Sequence, residues 1–340
     1  MTKNVQTIAE TMDRHVLYQK SVQNPESEIE FITKKFKELR GREAKSIRED
    51  FAGTAMFAVE WCEQGPDYSA VAVDLDTDTL EWGREHNVKP AGADVEKRCE
   101  LVNKNVLDYD DPSKRVDTAC AFNFSYNILK QREVLVEYFA KVREGLVDDG
   151  VFFLDILGGT EAYQEALDNP RTPDGEDFEY VWEQAKFNPI THEMVCYIHF
   201  QFEDGSKMEK AFTYEWRLRT IPEIIESLYE AGFKNVRCYW DEFIEQDDED
   251  DDASVCNIQL EYDDGTVMEK EFPYNPELES VPEIIKSLED AEKSKGRSMW
   301  EGFSDADDED EDDLDTTGDY VEVKEVENQE TFVSYIVAEK

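Results

Sequence analysis

Residues 46–74 constrain the architecture of this chain more than any other stretch. Ser46-Ile47-Arg48-Glu49-Asp50-Phe51 reads as a strand, Ala52-Gly53-Thr54-Ala55 as a tight turn, and the residues up to about Gln64 as a helix. The apolar run Ala70-Val71-Ala72-Val73 then closes on Asp74. That order is a βαβ unit with a small-residue turn after its first strand. A carboxylate follows its second, about 20 residues on, as in a ribose-binding crevice. A glycine in such a turn lets a ligand come close to the backbone, and the acid can accept hydrogen bonds from two sugar hydroxyls. On the turn alone, an ordinary crossover whose glycine merely eases packing reads equally well.

The flanking sequence continues the pattern. Strand-like runs at 99–106, 116–122 and 151–156 alternate with helical ones, the cleanest having Leu135, Tyr138, Phe139, Val142 and Leu146 on one stripe, with Asp148-Asp149-Gly150 ending it. Such alternation implies a parallel, doubly wound sheet whose ligand lies beyond the carboxyl ends of the strands, where Gly53, Asp74, Asn105 and Asn123 all fall. Residues 1–45 read as an amphipathic helical cap, with Ile29, Ile32, Phe36 and Leu39 on one face and Pro25 marking a boundary between helices. His15 and Tyr18 share a helix face in front of that boundary. From Phe178 the style changes to hairpins, with strands at 180–186, 194–202 and 207–216 turning at Asn188-Pro189 and Asp204-Gly205. This antiparallel layer is expected to cover the open end of the sheet. Ile221-Pro222-Glu223 opens a helix that Gly232 ends, residues 235–240 return as a strand, and a last strand at 331–338 rejoins the sheet.

The C-terminal third holds a tandem repeat. With an offset of 60 and no gap, residues 195–252 match residues 255–312 at 26 of 58 positions. The copies diverge where chemistry is expected: Trp216 and Arg217 become Pro276 and Glu277, and His199 becomes Gln259. Because a proline interrupts a strand ladder, the second copy reads as a peripheral β-hairpin and helix insertion without a site of its own.

With 82 acidic against 36 basic side chains, the formal charge over 340 residues is −46. Two acidic runs, 241–252 and 301–315, hold 19 of the acids, so the remainder still carries about −27. Such a field repels phosphate backbones and anionic lipid head groups, which argues against nucleic acid and membrane partners and suits a small or cationic substrate. The excess also fits a protein working at high salt. Six scattered cysteines without a Cys-x-x-Cys pair, and four unclustered histidines, indicate neither a disulfide framework nor a metal site. The first residues lack the apolar core of a signal peptide, and no apolar run approaches the length of a membrane span, so a reducing cytoplasmic setting is expected.

Residues 46–159 resemble the class I S-adenosylmethionine-dependent methyltransferases. A small-molecule-type subfamily is further resembled by Asp13-Arg14-His15 with Tyr18 and Ser21-Val22-Gln23, by Arg48-Glu49-Asp50-Phe51-x-Gly53-Thr54-Ala55, by Asn123-Phe124-Ser125-Tyr126, and by Phe212-Thr213-Tyr214-Glu215-Trp216-Arg217. The resemblance spans about residues 8–245 plus the final strand and omits the second copy. It implies an α/β, doubly wound, seven-stranded Rossmann-like sheet with an antiparallel last strand. On that frame the chain divides into a helical cap (1–45), the cofactor-binding core (46–177), the β lid (178–220), a core helix and strand with the first acidic run (221–253), the duplicated acidic insertion (254–315) and the terminal core strand (316–340). By the same resemblance Glu49, Ala52, Gly53 and Thr54 would hold the methionine part of S-adenosylmethionine, Asp74 and Leu75 the ribose, and Asn105 and Val106 the adenine, with Asn123 beside the methyl group. One departure stands out: the family's Gly-x-Gly-x-Gly turn is Phe51-x-Gly53-x-Ala55 here.

Methyl transfer is an in-line displacement at a carbon the sulfonium already activates, so the protein has mainly to align the nucleophile and exclude water. Candidates for that role, or for a base, are His15, Tyr18, Asn123, Tyr126, His199, Tyr214, Trp216 and Arg217, the last fitting a substrate carboxylate. Two other readings stand beside a small-molecule methyltransferase. One is a non-catalytic acidic interaction protein on the same fold; the other is a nicotinamide-dependent oxidoreductase, which lacks the third glycine expected of its turn.

Overall fold

The computed structural model describes residues 6–167, 170–243, 255–261, 267–273 and 316–340. They fall into two compact units, Met1–Glu242 with Thr317–Lys340, and Phe243–Thr316.

The first unit begins with three helices, α1 (Ile8–Thr11), α2 (Arg14–Val22) and α3 (Pro25–Arg40), the last capped by Asn24 and ended by Gly41 in the left-handed conformation. The core then alternates: β1 (Ser46–Asp50), α4 (Met56–Glu63), β2 (Ser69–Asp74), α5 (Thr77–Gly83) running into a π-helical turn (Arg84–Val88), α6 (Ala93–Arg98), β3 (Cys99–Asn103), β4 (Val116–Ala121), α7 (Arg132–Gly145) and β5 (Leu146–Gly158). Four strands form the lid: β6 (Ala166–Leu167), β7 (Phe178–Asn188), β8 (Glu193–Phe202) and β9 (Lys207–Arg217). Helix α8 (Ile221–Glu230) and strand β10 (Lys234–Phe243) complete the run before the repeat; β11 (Val255–Glu261) and β12 (Val267–Pro273) lie within it, and β13 (Thr316–Val323) and β14 (Phe332–Glu339) follow.

The main sheet runs β13-β10-β14-β5-β4-β1-β2-β3. Strands β1 to β5 pair in parallel, and β14 inserts antiparallel between β5 and β10. The seven expected strands are therefore present, and β13 adds an eighth at the edge. Period-2 alternation puts Ile47, Ala70, Ala72, Cys120 and Phe153 in one apolar cluster with Ile32, Phe36 and Trp61 of α3 and α4. Val71, Val73, Ala119, Phe152 and Leu154 join Leu135, Tyr138 and Leu228 of α7 and α8 on the other face. One boundary differs from the sequence reading. Helix α7 ends at Gly145, and Asp148-Asp149-Gly150 belong to β5, where the ladder with β4 slips register between Val116 and Thr118.

The lid is antiparallel throughout, and Leu17 of α2 is buried in its apolar cluster with Phe178, Tyr180, Ile198 and Phe200. In the second unit, β11 and β12 pair antiparallel, as β8 and β9 do in the first copy, but their register is continuous. The β8–β9 ladder instead shifts between Ile198 and Phe200, where Lys210 takes φ 51° and its N–H donates to His199 Nδ1 at 3.2 Å. The counterpart of His199 is Gln259. The helix expected in the second copy, with Pro276 and Glu277, lies outside the described residues.

Candidate functional site

The turn after β1 is where local sequence and ligand space meet. Phe51, Gly53 and Ala55 all take left-handed conformations (φ 58°, 53° and 55°), so the backbone path expected of three glycines is kept with one. Each non-glycine residue there costs about 1–2 kcal/mol, strain that persists only where surroundings impose it. Those surroundings are visible. Gly83 of α5 lies so close that a Cβ there would sit 2.2 Å from the Thr54 carbonyl oxygen, and Asn87 Nδ2 donates to the same oxygen at 2.8 Å. From the other side, Gln19 Nε2 of α2 donates to Thr54 Oγ1 at 2.7 Å. Gly83→Ala should therefore push on backbone that has nowhere to go. It is expected to cost about 1–3 kcal/mol, read as a lower midpoint in thermal unfolding; an unchanged midpoint would show that α5 does not brace the turn.

Period 2 along β1 sends Arg48 and Asp50 to one face and Glu49 to the other. Arg48 and Asp50 form a buried bidentate pair (2.7 and 2.8 Å) that Tyr138 completes, its hydroxyl donating to Asp50 at 2.9 Å. A buried charge pair of this kind holds only when its hydrogen bonds are filled, as here. Glu49 accepts from the Ala58 N–H at the start of α4 (3.1 Å), and burial pushes its carboxyl well above the usual carboxylate range.

A cavity of about 750 Å³ opens in front of the turn. All the residues proposed for the cofactor line it: Glu49, Ala52, Gly53 and Thr54 from the turn, Asp74 and Leu75 after β2, Asn105 and Val106 after β3, and Asn123 after β4. A Cβ on Gly53 would meet nothing within 4 Å, so the space before that backbone is free. Asp74 is held by two backbone N–H groups, Gly53 onto Oδ2 (2.7 Å) and Asp76 onto Oδ1 (2.8 Å), and burial raises its pKa. Each oxygen keeps a lone pair for a further donor.

Of the residues proposed for chemistry, His15, Tyr18, Asn123, Tyr214 and Trp216 line the same cavity. His15 packs against Trp82 and Phe212 (ring centres 5.1 and 6.0 Å), and burial lowers its pKa. Tyr126 and Arg217 line neither this cavity nor its neighbour. Tyr126 is buried in the core and donates its hydroxyl to the Asp155 carbonyl at 2.8 Å; Arg217 Nη1 donates to the Lys130 carbonyl at 3.1 Å, fastening β9 to the core. His199 likewise serves the lid, through Glu183 and the bulged Lys210 N–H.

Asn123 and Phe124 also take left-handed conformations (φ 55° and 56°), and their successive N–H groups converge on the buried Asp155 carboxylate at 2.6 and 2.9 Å. Such paired amides form a small anion nest. Burial nonetheless pushes Asp155 up to about 7.

A second cavity of about 360 Å³ lies under the lid, lined by Tyr180, Trp182 and Gln184 of β7 together with Arg171, Glu161 and Gln164. Tyr18, Asn123, Tyr214 and Trp216 line both cavities. The sequence reading placed the strand at 180–186 in the lid but named none of Tyr180, Trp182 and Gln184 as site residues, although they alternate along one face of it. It also passed over Glu28, which lies four residues before buried Ile32 on the inward face of α3 and reaches the larger cavity with its pKa raised by burial and by Asp155 and Glu49. Trp82 is the third omission: its Nε1 donates to Asp13 Oδ2 at 2.7 Å, tying α5 to the N-terminal cap of α2.

No family profile matches the chain. A protein of Geobacillus sp. (strain WCH70) named "Putative methyltransferase GWCH70_2453" is 23% identical over 210 residues, covering 60% of this chain and 79% of that protein. Among solved structures, an S-adenosylmethionine-dependent methyltransferase from Clostridium acetobutylicum aligns at TM-score 0.52 and 19% identity, covering 66% of this chain and 88% of its own. CalS10 from Micromonospora echinaspora, an amino pentose methyltransferase solved with S-adenosylmethionine bound, aligns at 0.52 and 11% identity, covering 72% and 96%. At such identities the likeness is one of fold.

Proposed function

The chain has the fold of the class I S-adenosylmethionine-dependent methyltransferases, and we propose that it binds that cofactor in the larger cavity and methylates a small molecule held in the smaller one. The observation that carries this reading is the contact between the two spaces. A cavity bounded by the strained turn, Asp74 and Asn105 meets a lid-covered cavity along Tyr18, Asn123, Tyr214 and Trp216, so a donor and an acceptor bound separately would meet at those four residues. Both volumes suit small molecules, whose sites run to roughly 300–1,000 Å³.

The residues present fit the cofactor. Asp74 offers two free lone pairs to a ribose, Gly53 leaves its backbone uncovered, and Asp76, whose carboxyl the Thr79 N–H holds below its usual value, gives the larger cavity a negative charge that suits a cationic sulfonium and an ammonium group. When bound, the cofactor supplies a methyl carbon already activated for displacement. The chain has then to position the acceptor and keep water out, and the cap helix α2 and the lid cover both cavities for that purpose. A reducing, cytoplasmic setting agrees with the thiols of Cys62, Cys99, Cys120 and Cys238, none of them in a disulfide; no helix among the described residues is long and apolar enough to cross a membrane.

Calorimetric titration of the purified chain should show saturable binding of S-adenosylmethionine and none of NAD. Binding of NAD alone would replace methyl transfer with hydride transfer, and binding of neither would leave a scaffold without cofactor chemistry.

A further inference from the structure

Resting on the two-cavity reading above, we propose that the acceptor is a small amine, so that the chain is an N-methyltransferase. Two independent features of the smaller cavity carry this.

The first is its wall. Trp182 lies 5.9 Å, ring centre to ring centre, from both Tyr214 and Trp216, which are 4.6 Å from each other, and Tyr18 and Tyr180 extend the same lining. Aromatic faces carry the negative side of a quadrupole and attract an alkylammonium group that has shed much of its water. The surrounding charge acts in the same sense. Asp74 and Asp76 line the larger cavity with no lysine or arginine among its described lining residues, and in the smaller one Glu161 offsets Arg171. With −46 over the whole chain, an anionic acceptor such as a carboxylate or thiolate is disfavoured and a cation is drawn in.

The second feature is the chemistry at the junction. Among the described residues, those lining both cavities are two phenols, an amide and an indole, while the imidazole of His15 lines only the larger cavity and the carboxylate of Glu161 only the smaller. Tyr18 and Tyr214 hydrogen-bond to each other, and burial pushes both phenols above their usual value, so neither takes up a proton near neutral pH. An alcohol or phenol acceptor has to lose its proton as the new O–C bond forms and so asks for a base there. An amine does not. It sheds a proton to solvent before reaction, and its nitrogen lone pair forms the N–C bond while the C–S bond breaks and leaves its electron pair on sulfur. The N-methylammonium product then releases its extra proton to water.

The test uses the full chain, S-adenosylmethionine and a size-matched panel of primary and secondary amines, phenols, alcohols, carboxylic acids and thiols. Formation of S-adenosylhomocysteine is followed by mass spectrometry, and cofactor affinity is measured separately by calorimetry. The expected result is turnover of amines, with kcat/KM rising tenfold per pH unit up to each acceptor's own pKa and the limb moving as the amine is changed. Trp182→Leu, on the smaller cavity alone, should raise KM for the amine roughly tenfold while cofactor affinity stays within about twofold. Trp182→Tyr should recover most of that loss. Turnover confined to oxygen or sulfur acceptors, or no amine methylated by a chain that binds the cofactor, would overturn the amine assignment and leave cofactor binding standing. A chain that fails to bind S-adenosylmethionine overturns both.

Discussion

An Asp74→Asn variant is expected to bind S-adenosylmethionine roughly 10- to 150-fold more weakly than the parent, because hydrogen bonds to an ionised carboxylate are worth about 1.5–3 kcal/mol. The substitution keeps the shape of the side chain and changes what its atoms can do. At present Gly53 and Asp76 each donate an N–H to a different Asp74 oxygen, which fixes the carboxylate plane and leaves one lone pair on each oxygen directed elsewhere. An amide has one oxygen; its NH₂ would face either the Gly53 or the Asp76 N–H, two donors head to head, and would present a donor where a sugar hydroxyl needs an acceptor. The pH dependence has a definite sign. Burial raises the pKa of Asp74, and the ionised form is the one that accepts from two hydroxyls, so cofactor affinity should weaken as pH falls toward that raised pKa and recover above it. The variant should lose this slope along with its affinity. Calorimetry at several pH values reads both effects, and a dissociation constant within about twofold of the parent's at high pH would remove Asp74 from the cofactor site.

The order of elements around that aspartate was legible because it is local. A strand, a small-residue turn, a helix and an acid about 20 residues on need no knowledge of the rest of the molecule. What the turn would do without its first and third glycines was not legible. Phe51 and Ala55 depart from the glycine pattern, yet both hold the left-handed path, with Gly83, Asn87 and Gln19 bracing Thr54 between them. Those braces come from two separate segments, α2 and the stretch from α5 into its π-helical turn, which no local pattern connects.

Tyr126 and Arg217 show a second limit. Each sits in a segment whose neighbours line a cavity, but proximity in sequence does not set direction. Tyr126 belongs to a short 3-10 turn (Ser125–Ile128) that aims its hydroxyl back at the β5 backbone. Along β9, alternation sends Trp216 inward, and Arg217 reaches instead for the Lys130 carbonyl. The same rule could have picked out Tyr180, Trp182 and Gln184 on one face of β7. It could not say what that face covers, because this depends on how the lid sits on the sheet. His199 differs again: the residue lost in the second copy is one that supports a bulge, and the hairpin that carries Gln259 has a continuous register.

Asp155→Asn is expected to destabilise the chain by about 2 kcal/mol near pH 8 and to lower kcat/KM by roughly 100-fold. Both effects follow from the turn it holds. Asn123 and Phe124 stay in left-handed conformations while their N–H groups donate to the two Asp155 oxygens, and Asn123 stands at the junction of the two cavities. Asparagine tolerates that conformation; phenylalanine does so only under constraint. An amide at position 155 can accept from one of the two N–H groups and turns its own NH₂ toward the other, so a buried donor is orphaned and the pair is no longer clamped. Linkage supplies a separate check. The folded-state pKa of Asp155 is pushed up to about 7, above the ordinary carboxylate value near 3.8, so between those limits the folded chain binds more protons than the unfolded one. The proton-linked part of its contribution to stability is therefore fully present below about pH 4 and lost as pH rises through 7, which leaves the two hydrogen bonds to the turn as what the variant loses at pH 8. In Asp155→Asn that component of the pH dependence should be missing, which chemical unfolding at pH 5, 6, 7 and 8 would show as a parent-minus-variant difference that changes across the window. A constant difference would mean that the carboxylate does not titrate in this range, and a variant with the parent's kcat/KM that it does not hold the turn.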